Sequence, residues 1–352
     1  MEAALYDPEG GFFASGHGPR RDFVTSPEVG PLFGACVARG LDRFWDELGR
    51  PDPFLVVEAG AGGGRLAREV GRAAPACLGA LRYVLVERSP ASRAAQRGLL
   101  PLDPPDEALG PFVRHGDDAP VPAPGAGPVW ASLAQLPAVE AADAVVIANE
   151  LLDNLPFGIA QWDGRGWSEI RVGLDGDRFV EVPVPLPATP PVGSVPLPDP
   201  GACGLAPGAR VPVPRGMVAW FRECEQVLRS GRVLLFDYMT DAPALRLRTY
   251  RGHERGTDPL DAPGTRDITA DVVTAQVRAA APTFAWREDV TQREWLHAAG
   301  IDALAAEGAA AWRDGAHRGD LAALAGRSRV HEAEVLTDPG GLGAHRVVTL
   351  SR

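Results

Sequence analysis

Four short apolar runs constrain this chain more than any other feature. They are Phe54-Leu55-Val56-Val57-Glu58, Tyr83-Val84-Leu85-Val86-Glu87, Ala144-Val145-Val146-Ile147-Ala148-Asn149 and Val233-Leu234-Leu235-Phe236-Asp237. Each is continuous rather than alternating with polar residues, the pattern of strands buried on both faces of a parallel sheet. Helical spacing lies between them. Residues 65–74 follow the first run, and residues 215–229 carry Met217, Val218, Phe221, Cys224 and Leu228 on one face. Strand and helix in alternation predict a doubly wound α/β arrangement.

Three further segments attach to this sheet. Val29, Leu32, Phe33, Cys36, Val37, Leu41, Phe44, Trp45 and Leu48 form one amphipathic stripe. It predicts a single N-terminal helix capped by Ser26, with Pro27 in its first turn. Residues 159–162, 167–172 and 178–182 read as a small inserted β-meander, with turns at Asp163-Gly164 and Asp175-Gly176. Residues 183–214 read as extended, proline-rich loop, because proline fixes φ and removes a donor. A second proline-rich stretch covers 101–128. Residues 330–336 and 345–350, joined by a glycine-rich link, predict a C-terminal antiparallel hairpin closing the sheet edge. The expected domains are a cap over 1–50, a core over 51–157 and 215–352, and an insertion over 158–214.

Composition excludes several function classes. The 35 basic residues are all arginine, against 46 acidic ones, for a net charge of −11. Without lysine there is no Schiff-base chemistry and no phosphate-binding-loop lysine. An acidic chain is a poor partner for nucleic acid. Cys36, Cys77, Cys203 and Cys224 form no C-x-x-C pair, and the histidines lack ligand spacing, so no metal site is expected. No run approaches the ~18 apolar residues of a membrane span, and no secretory signal opens the chain. A reducing, cytoplasmic setting is the expectation. Oligomeric state is not legible.

Three motifs carry chemistry. The first is Glu58-Ala59-Gly60-Ala61-Gly62-Gly63-Gly64-Arg65, a strand feeding a glycine-rich turn and a helix. Absent Cβ atoms admit a ligand to the backbone, and a helix N-terminus offers free N–H groups. A dinucleotide fingerprint fails, because its last glycine falls on Arg65. Acid-x-Gly-x-Gly-x-Gly fits Glu58, Gly60, Gly62 and Gly64. The second is Glu87 at the end of the next strand, placed to accept both hydrogen bonds of a ribose diol. The third is Asn149-Glu150-Leu151-Leu152-Asp153-Asn154-Leu155-Pro156, directly after the third run. Asn149, Glu150 and Asp153 are polar groups where parallel sheets place their ligands, though Asn149 or Asp153 can equally cap a helix.

These blocks resemble the MidA-like family of class I methyltransferases that use S-adenosylmethionine. The resemblance also rests on Leu5-Tyr6-Asp7-Pro8-Glu9-Gly10-Gly11, Thr25-Ser26-Pro27-Glu28, Val86-Glu87-Arg88-Ser89-Pro90 with Gln96, Phe236-Asp237-Tyr238, Tyr250-Arg251-Gly252-His253, Asp267-Ile268-Thr269 and Thr291-Gln292. It departs where Ala61 replaces a proline and Met239 a glycine. The resemblance implies a Rossmann-like methyltransferase sheet. Glu58, Gly60, Gly62, Gly64, Glu87, Ser26 and Asn149 would bind the cofactor. Asn149, Glu150 and Asp153 would be catalytic, and Thr25, Glu28, Tyr238, Arg251 and His253 would bind substrate. A mitochondrial relative in that family is described as a protein arginine methyltransferase and respiratory complex I assembly factor. The expected acceptor is therefore an arginine of a protein, such as a respiratory-complex subunit. A small-molecule methyltransferase and a non-catalytic cofactor-binding assembly factor are the alternatives. Thr25 and Glu28 also stand at capping-box spacing.

Overall fold

The computed structural model describes residues 1–13, 25–112, 127–187, 194–251, 254–318 and 320–352. Two compact units emerge, one from residues 24–150, 225–237 and 285–352, the other from 1–23, 151–224 and 238–284. This division falls elsewhere than 50, 157 and 214. Packing follows the strands a segment joins, and Leu247–Arg251 and Asp267–Ala270 pair with each other rather than with the large sheet.

The first unit is built on a seven-stranded sheet. Its strands are β1 (Phe54–Ala59), β2 (Leu81–Val86), β3 (Val129–Leu133), β4 (Ala144–Asn149), β5 (Gly231–Asp237), β6 (Ala285–Thr291) and β7 (Arg346–Ser351). They lie in the order β6-β7-β5-β4-β1-β2-β3. From β3 to β5 all neighbours are parallel. Only β7 runs against its neighbours β5 and β6. Every residue of β1 and β2 is buried, as their unbroken apolar runs require. The chain leaves β1 toward β2 on one side and later returns to β4 on the other. The switch point of the doubly wound fold is therefore the gap between β1 and β4.

Helix Pro31–Glu47 covers this sheet with Leu32, Phe33, Cys36, Val37, Leu41 and Phe44, all at most 2% exposed. Burial of each large side chain contributes about 1.5–3 kcal/mol. Phe236 packs edge-on against Phe33 and Trp295, with centroids 5.2 and 5.0 Å away. Gly40 sits mid-helix because a Cβ there would meet the Trp295 ring at 2.8 Å.

The expected single N-terminal helix is two. Ser26–Val29 is one turn capped by Thr25, not Ser26, and Gly30 is extended (φ 167°) before the helix restarts at Pro31. A residue before proline is disfavoured in the α region, so the stripe cannot run through it as one helix. The C-terminal hairpin also needs correction. Residues 330–336 belong to helix Leu321–Leu336, whose N-cap Asp320 accepts from the Ala323 N–H. The antiparallel partners of β7 are β6 and β5 instead. Strand β3, which borders the first proline-rich stretch, was not legible.

The second unit contains the inserted meander, extended to four strands. Gly158–Trp162 lies between Trp167–Asp175 and Arg210–Val213, with Arg178–Pro185 at the edge. Arg210–Val213 falls where an irregular loop was expected. A three-stranded sheet centres on Leu247–Arg251, flanked by Glu254–Gly256 and Asp267–Ala270. The short helix Glu2–Tyr6 buries Leu5 against Phe12 and Ile268.

Candidate functional site

Strand register assembles the site. Ala59 pairs with Val86 on one side and Ala148 on the other. The residues that follow these three, Gly60, Glu87 and Asn149, therefore stand side by side at the carboxyl ends of β1, β2 and β4. That edge, at the switch point, is where open α/β sheets hold ligands.

The glycine turn takes the backbone out of the region open to other residues. Gly60, Gly62 and Gly64 have φ of +71°, +50° and +83°. A Cβ on Gly62 would meet nothing within 4 Å, whereas one on Gly64 would press on Leu85 at 3.0 Å. Gly62 thus borders open space, and Gly64 packs against the core. The turn is held from both sides. Glu87 accepts from the Gly62 N–H (2.9 Å) through Oε2 and from the Ser89 N–H (2.8 Å) through Oε1. Gln96 donates from Nε2 to the Gly62 carbonyl at 2.7 Å and accepts from Ser132 Oγ at 2.5 Å. Burial pushes the Glu87 carboxyl up, and the Ser89 and Gly62 N–H groups pull it back. Gln96 was visible only as part of a motif, and its grip on the turn is a structural finding.

Glu58 differs in kind. It is 4% exposed and accepts from the Tyr83 hydroxyl at 2.8 Å. Burial pushes its carboxyl up to about 8, against the pull of that hydrogen bond. Glu58 is therefore held inside the fold by Tyr83, where burial favours its protonated form.

At the end of β4, Asn149 donates from Nδ2 to Glu150 Oε1 (3.2 Å), which also accepts from the Ser26 N–H (3.3 Å). Glu150 has φ +50°, a left-handed backbone uncommon for a non-glycine residue. Asn149 Oδ1 is buried with no hydrogen-bond partner. Buried polar atoms are seldom left so, and this one lies at the sheet edge beside the glycine turn. Ser26 is fully buried, and its hydroxyl donates to Gln292 Oε1 at 3.0 Å. Thr25 and Glu28 form the capping box of helix Ser26–Val29, which engages the polar groups expected to bind substrate.

Asp153 belongs to the second unit. It is 6% exposed, its Oδ2 accepts from Thr269 Oγ1 at 2.6 Å, and its Oδ1 has no hydrogen-bond partner. Burial pushes this carboxyl up, opposed by the Thr269 hydroxyl and by Arg248. Arg248 pairs with Asp271 at 2.5 Å. Asp153 and Asp271 line a shallow recess with Phe157, Met217, Val272 and Gln276. Tyr238 accepts from the Val272 N–H through its carbonyl. Arg251 is exposed at a strand end, opposite Glu254. His253 lies outside the described residues. Among the described residues, no His, Cys, Asp or Glu cluster is arranged to hold a metal, and no helix is long and apolar enough to cross a membrane.

The first unit fits S-adenosylmethionine. Open space over the φ-positive Gly62 would take the methionine part, the Glu87 carboxylate at the next strand end would meet the ribose, and the orphan Asn149 Oδ1 ends the neighbouring strand. A family model for S-adenosyl-L-methionine-dependent methyltransferases matches residues 36–288. The mitochondrial protein arginine methyltransferase NDUFAF7 homolog of Drosophila melanogaster is 30% identical over 302 residues, covering 80% of this chain and 65% of the fly protein. Protein arginine methyltransferase NDUFAF7 of Mus musculus is 28% identical over 323 residues, covering 86% of this chain and 70% of the mouse protein. The chain thus spans about two thirds of the length of these curated relatives. The crystal structure of a COG1565 superfamily member from Burkholderia thailandensis, bound to S-adenosyl-homocysteine, superposes with TM-score 0.74 at 26% identity. It covers 100% of this chain and 86% of that one.

Proposed function

This chain belongs to the MidA-like family of S-adenosyl-L-methionine-dependent methyltransferases, and from that membership we propose that it methylates a side-chain nitrogen of arginine in a protein. The observation that carries the reading is the buried, unpartnered Asn149 Oδ1 at the switch point. The arginine acceptor is supported by the printed names of the fly and mouse relatives. When bound, S-adenosylmethionine supplies a methyl group made electrophilic by its sulfonium.

The protein's own contribution is orientation and charge. Asn149 Oδ1 accepts a hydrogen bond from the acceptor nitrogen and turns its lone pair toward the methyl group. Glu150 holds the Asn149 amide in that sense. In the second unit Asp153 keeps one carboxylate oxygen without a hydrogen-bond partner, a group able to accept from N–H donors. A guanidinium gives up delocalisation when one nitrogen is attacked, so carboxylates that concentrate its charge act more strongly in the transition state than in the ground state. A protein such as a respiratory-complex subunit is the proposed acceptor. A cytoplasmic setting is part of the proposal, supported by four free thiols.

Titration calorimetry with S-adenosylmethionine, followed by transfer of a labelled methyl group into arginine-bearing proteins, tests this. A methylarginine mass shift is the expected result. Label confined to small metabolites makes the protein a metabolite methyltransferase. Cofactor binding with no transfer at all makes it a non-catalytic assembly factor.

A further inference from the structure

We propose that Gln292 is a positioning residue that sets the Asn149 amide for its acceptor through Ser26 and Glu150. The inference rests on the methyltransferase reading, which gives Asn149 its task, but its geometry lies wholly within the seven-stranded unit. Gln292 follows β6 and is fully buried. Its backbone is pinned, since its N–H donates to the His345 carbonyl at 2.7 Å and Thr291 before it caps the helix Gln292–Ala298. Its Nε2 donates to the Leu336 carbonyl at 3.1 Å.

These contacts dictate a direction. Flipping the Gln292 amide would place its oxygen against the Leu336 carbonyl, oxygen on oxygen. Oε1 must therefore face Ser26, and the Ser26 hydroxyl must donate to it. The residue anchored in this way also donates its backbone N–H to Glu150 Oε1. That carboxylate oxygen accepts only, so Asn149 must present Nδ2 to it. A flipped Asn149 would set its carbonyl oxygen against the carboxylate. The outcome of the series is that Oδ1, and not Nδ2, is the uncommitted end of Asn149. Nδ2 in that place would donate to the acceptor nitrogen and occupy the lone pair that the reaction needs. The Gln292 amide thus satisfies the helix-end carbonyl of Leu336 through one end and holds Ser26 through the other.

Gln292→Met keeps the volume and removes both side-chain hydrogen bonds. The turnover number for methyl transfer should fall about 10-fold, the scale of one lost polar contact, with acceptor KM and cofactor Kd within about twofold. Ser26→Ala should lower turnover similarly. The double variant should be no worse than either single one, because the two act in series. Ser26→Thr, which restores the hydroxyl, should recover turnover. The Asn149 side-chain amide, followed by ¹⁵N NMR with Asn149→Asp for assignment, should exchange its protons about 10-fold faster in Gln292→Met than in the parent. Unchanged amide exchange in a folded Gln292→Met protein overturns the proposal. Additive losses in the double variant also overturn it. If the parent protein methylates nothing, the functional reading falls, and the amide exchange still decides the role of Gln292.

Discussion

Glu58 lies two positions deeper in the sheet than Glu87 on the neighbouring strand, and their surroundings give them opposite tasks. Glu58 faces Tyr83 inside the fold. Glu87 is half-buried and binds the backbone of the glycine turn. A carboxylate carries two oxygens with lone pairs to spare, so Glu87 can hold Gly62 and still accept from a ribose diol. Glu87→Ala removes both, and charge-assisted hydrogen bonds contribute roughly 1.5–3 kcal/mol each. Calorimetry should show cofactor affinity about 10- to 100-fold lower in a folded protein, and an unchanged Kd would place the ribose elsewhere. Asp153→Asn tests the other carboxylate. It keeps the shape and the Thr269 contact but loses the charge. Single-turnover transfer should fall at least ~100-fold, the scale of one preorganised polar contact, with cofactor binding within a few fold. Full turnover in this variant would reduce Asp153 to a structural partner of Thr269.

Among the elements, the glycine turn is the one whose backbone leaves room for a cofactor. Gly62 combines φ +50° with open space above its Cα. In Gly62→Val a β-branched side chain would be strained in that backbone and would fill the volume a ligand needs. Calorimetry on the folded variant should detect no S-adenosylmethionine binding, and normal binding would show that the turn is not the cofactor site. The edge of the meander shows a different control. The Leu186 N–H donates to Trp167 across the Arg178–Pro185 strand register, so even-numbered residues bond inward and odd-numbered ones face outward. Pro183 and Pro185 both fall on the outward set and remove its donors, a protection for an edge hairpin that exposes Phe179 (49%) and its cross-strand neighbour Leu174 (69%). Replacing both prolines by valine should raise the apparent mass in concentration-dependent light scattering, whereas an unaltered mass would mean the prolines guard nothing.

These elements were unequally legible. The four buried runs stood out because burial on both faces removes polar residues from a strand. The segment 330–336 misled because seven residues with apolar positions at Val330, Ala333, Val335 and Leu336 suit either period, and only the alanine-rich stretch back to Asp320 decides for a helix. The polar block from Asn149 to Asp153 and the glycine turn were readable as local strings. The partnership of Ser26 with Gln292 was not, since 266 positions separate them and no local pattern encodes which strand end meets which loop.

For the molecule as a whole, Glu58 makes stability depend on pH in an unusual direction for a carboxyl. Its folded value of about 8 lies above the ordinary carboxyl value of 4.5. Between those values the folded state holds a proton that the unfolded state has released, so stability falls as pH rises through that window and levels off above it. Glu58→Gln keeps an acceptor for Tyr83 and cannot ionise. Urea unfolding from pH 5 to 8 should show a shallower loss of stability with pH in the variant than in the parent, and parallel curves would mean that Glu58 is already charged at neutral pH.

The order of the seven strands has a consequence for how the chain reaches this state. The strand latest in sequence, β7, is not an edge but sits between β5 and β6. During synthesis at roughly 5–20 residues per second, the apolar β5 and the more polar β6 must wait without the neighbour that joins them, for more than fifty residues beyond β6 to emerge. Contacts between segments so far apart in sequence close slowly. Such a nascent chain exposes two unpaired edges that can pair with a copy of itself, and it depends on whatever shields those edges until β7 slides in.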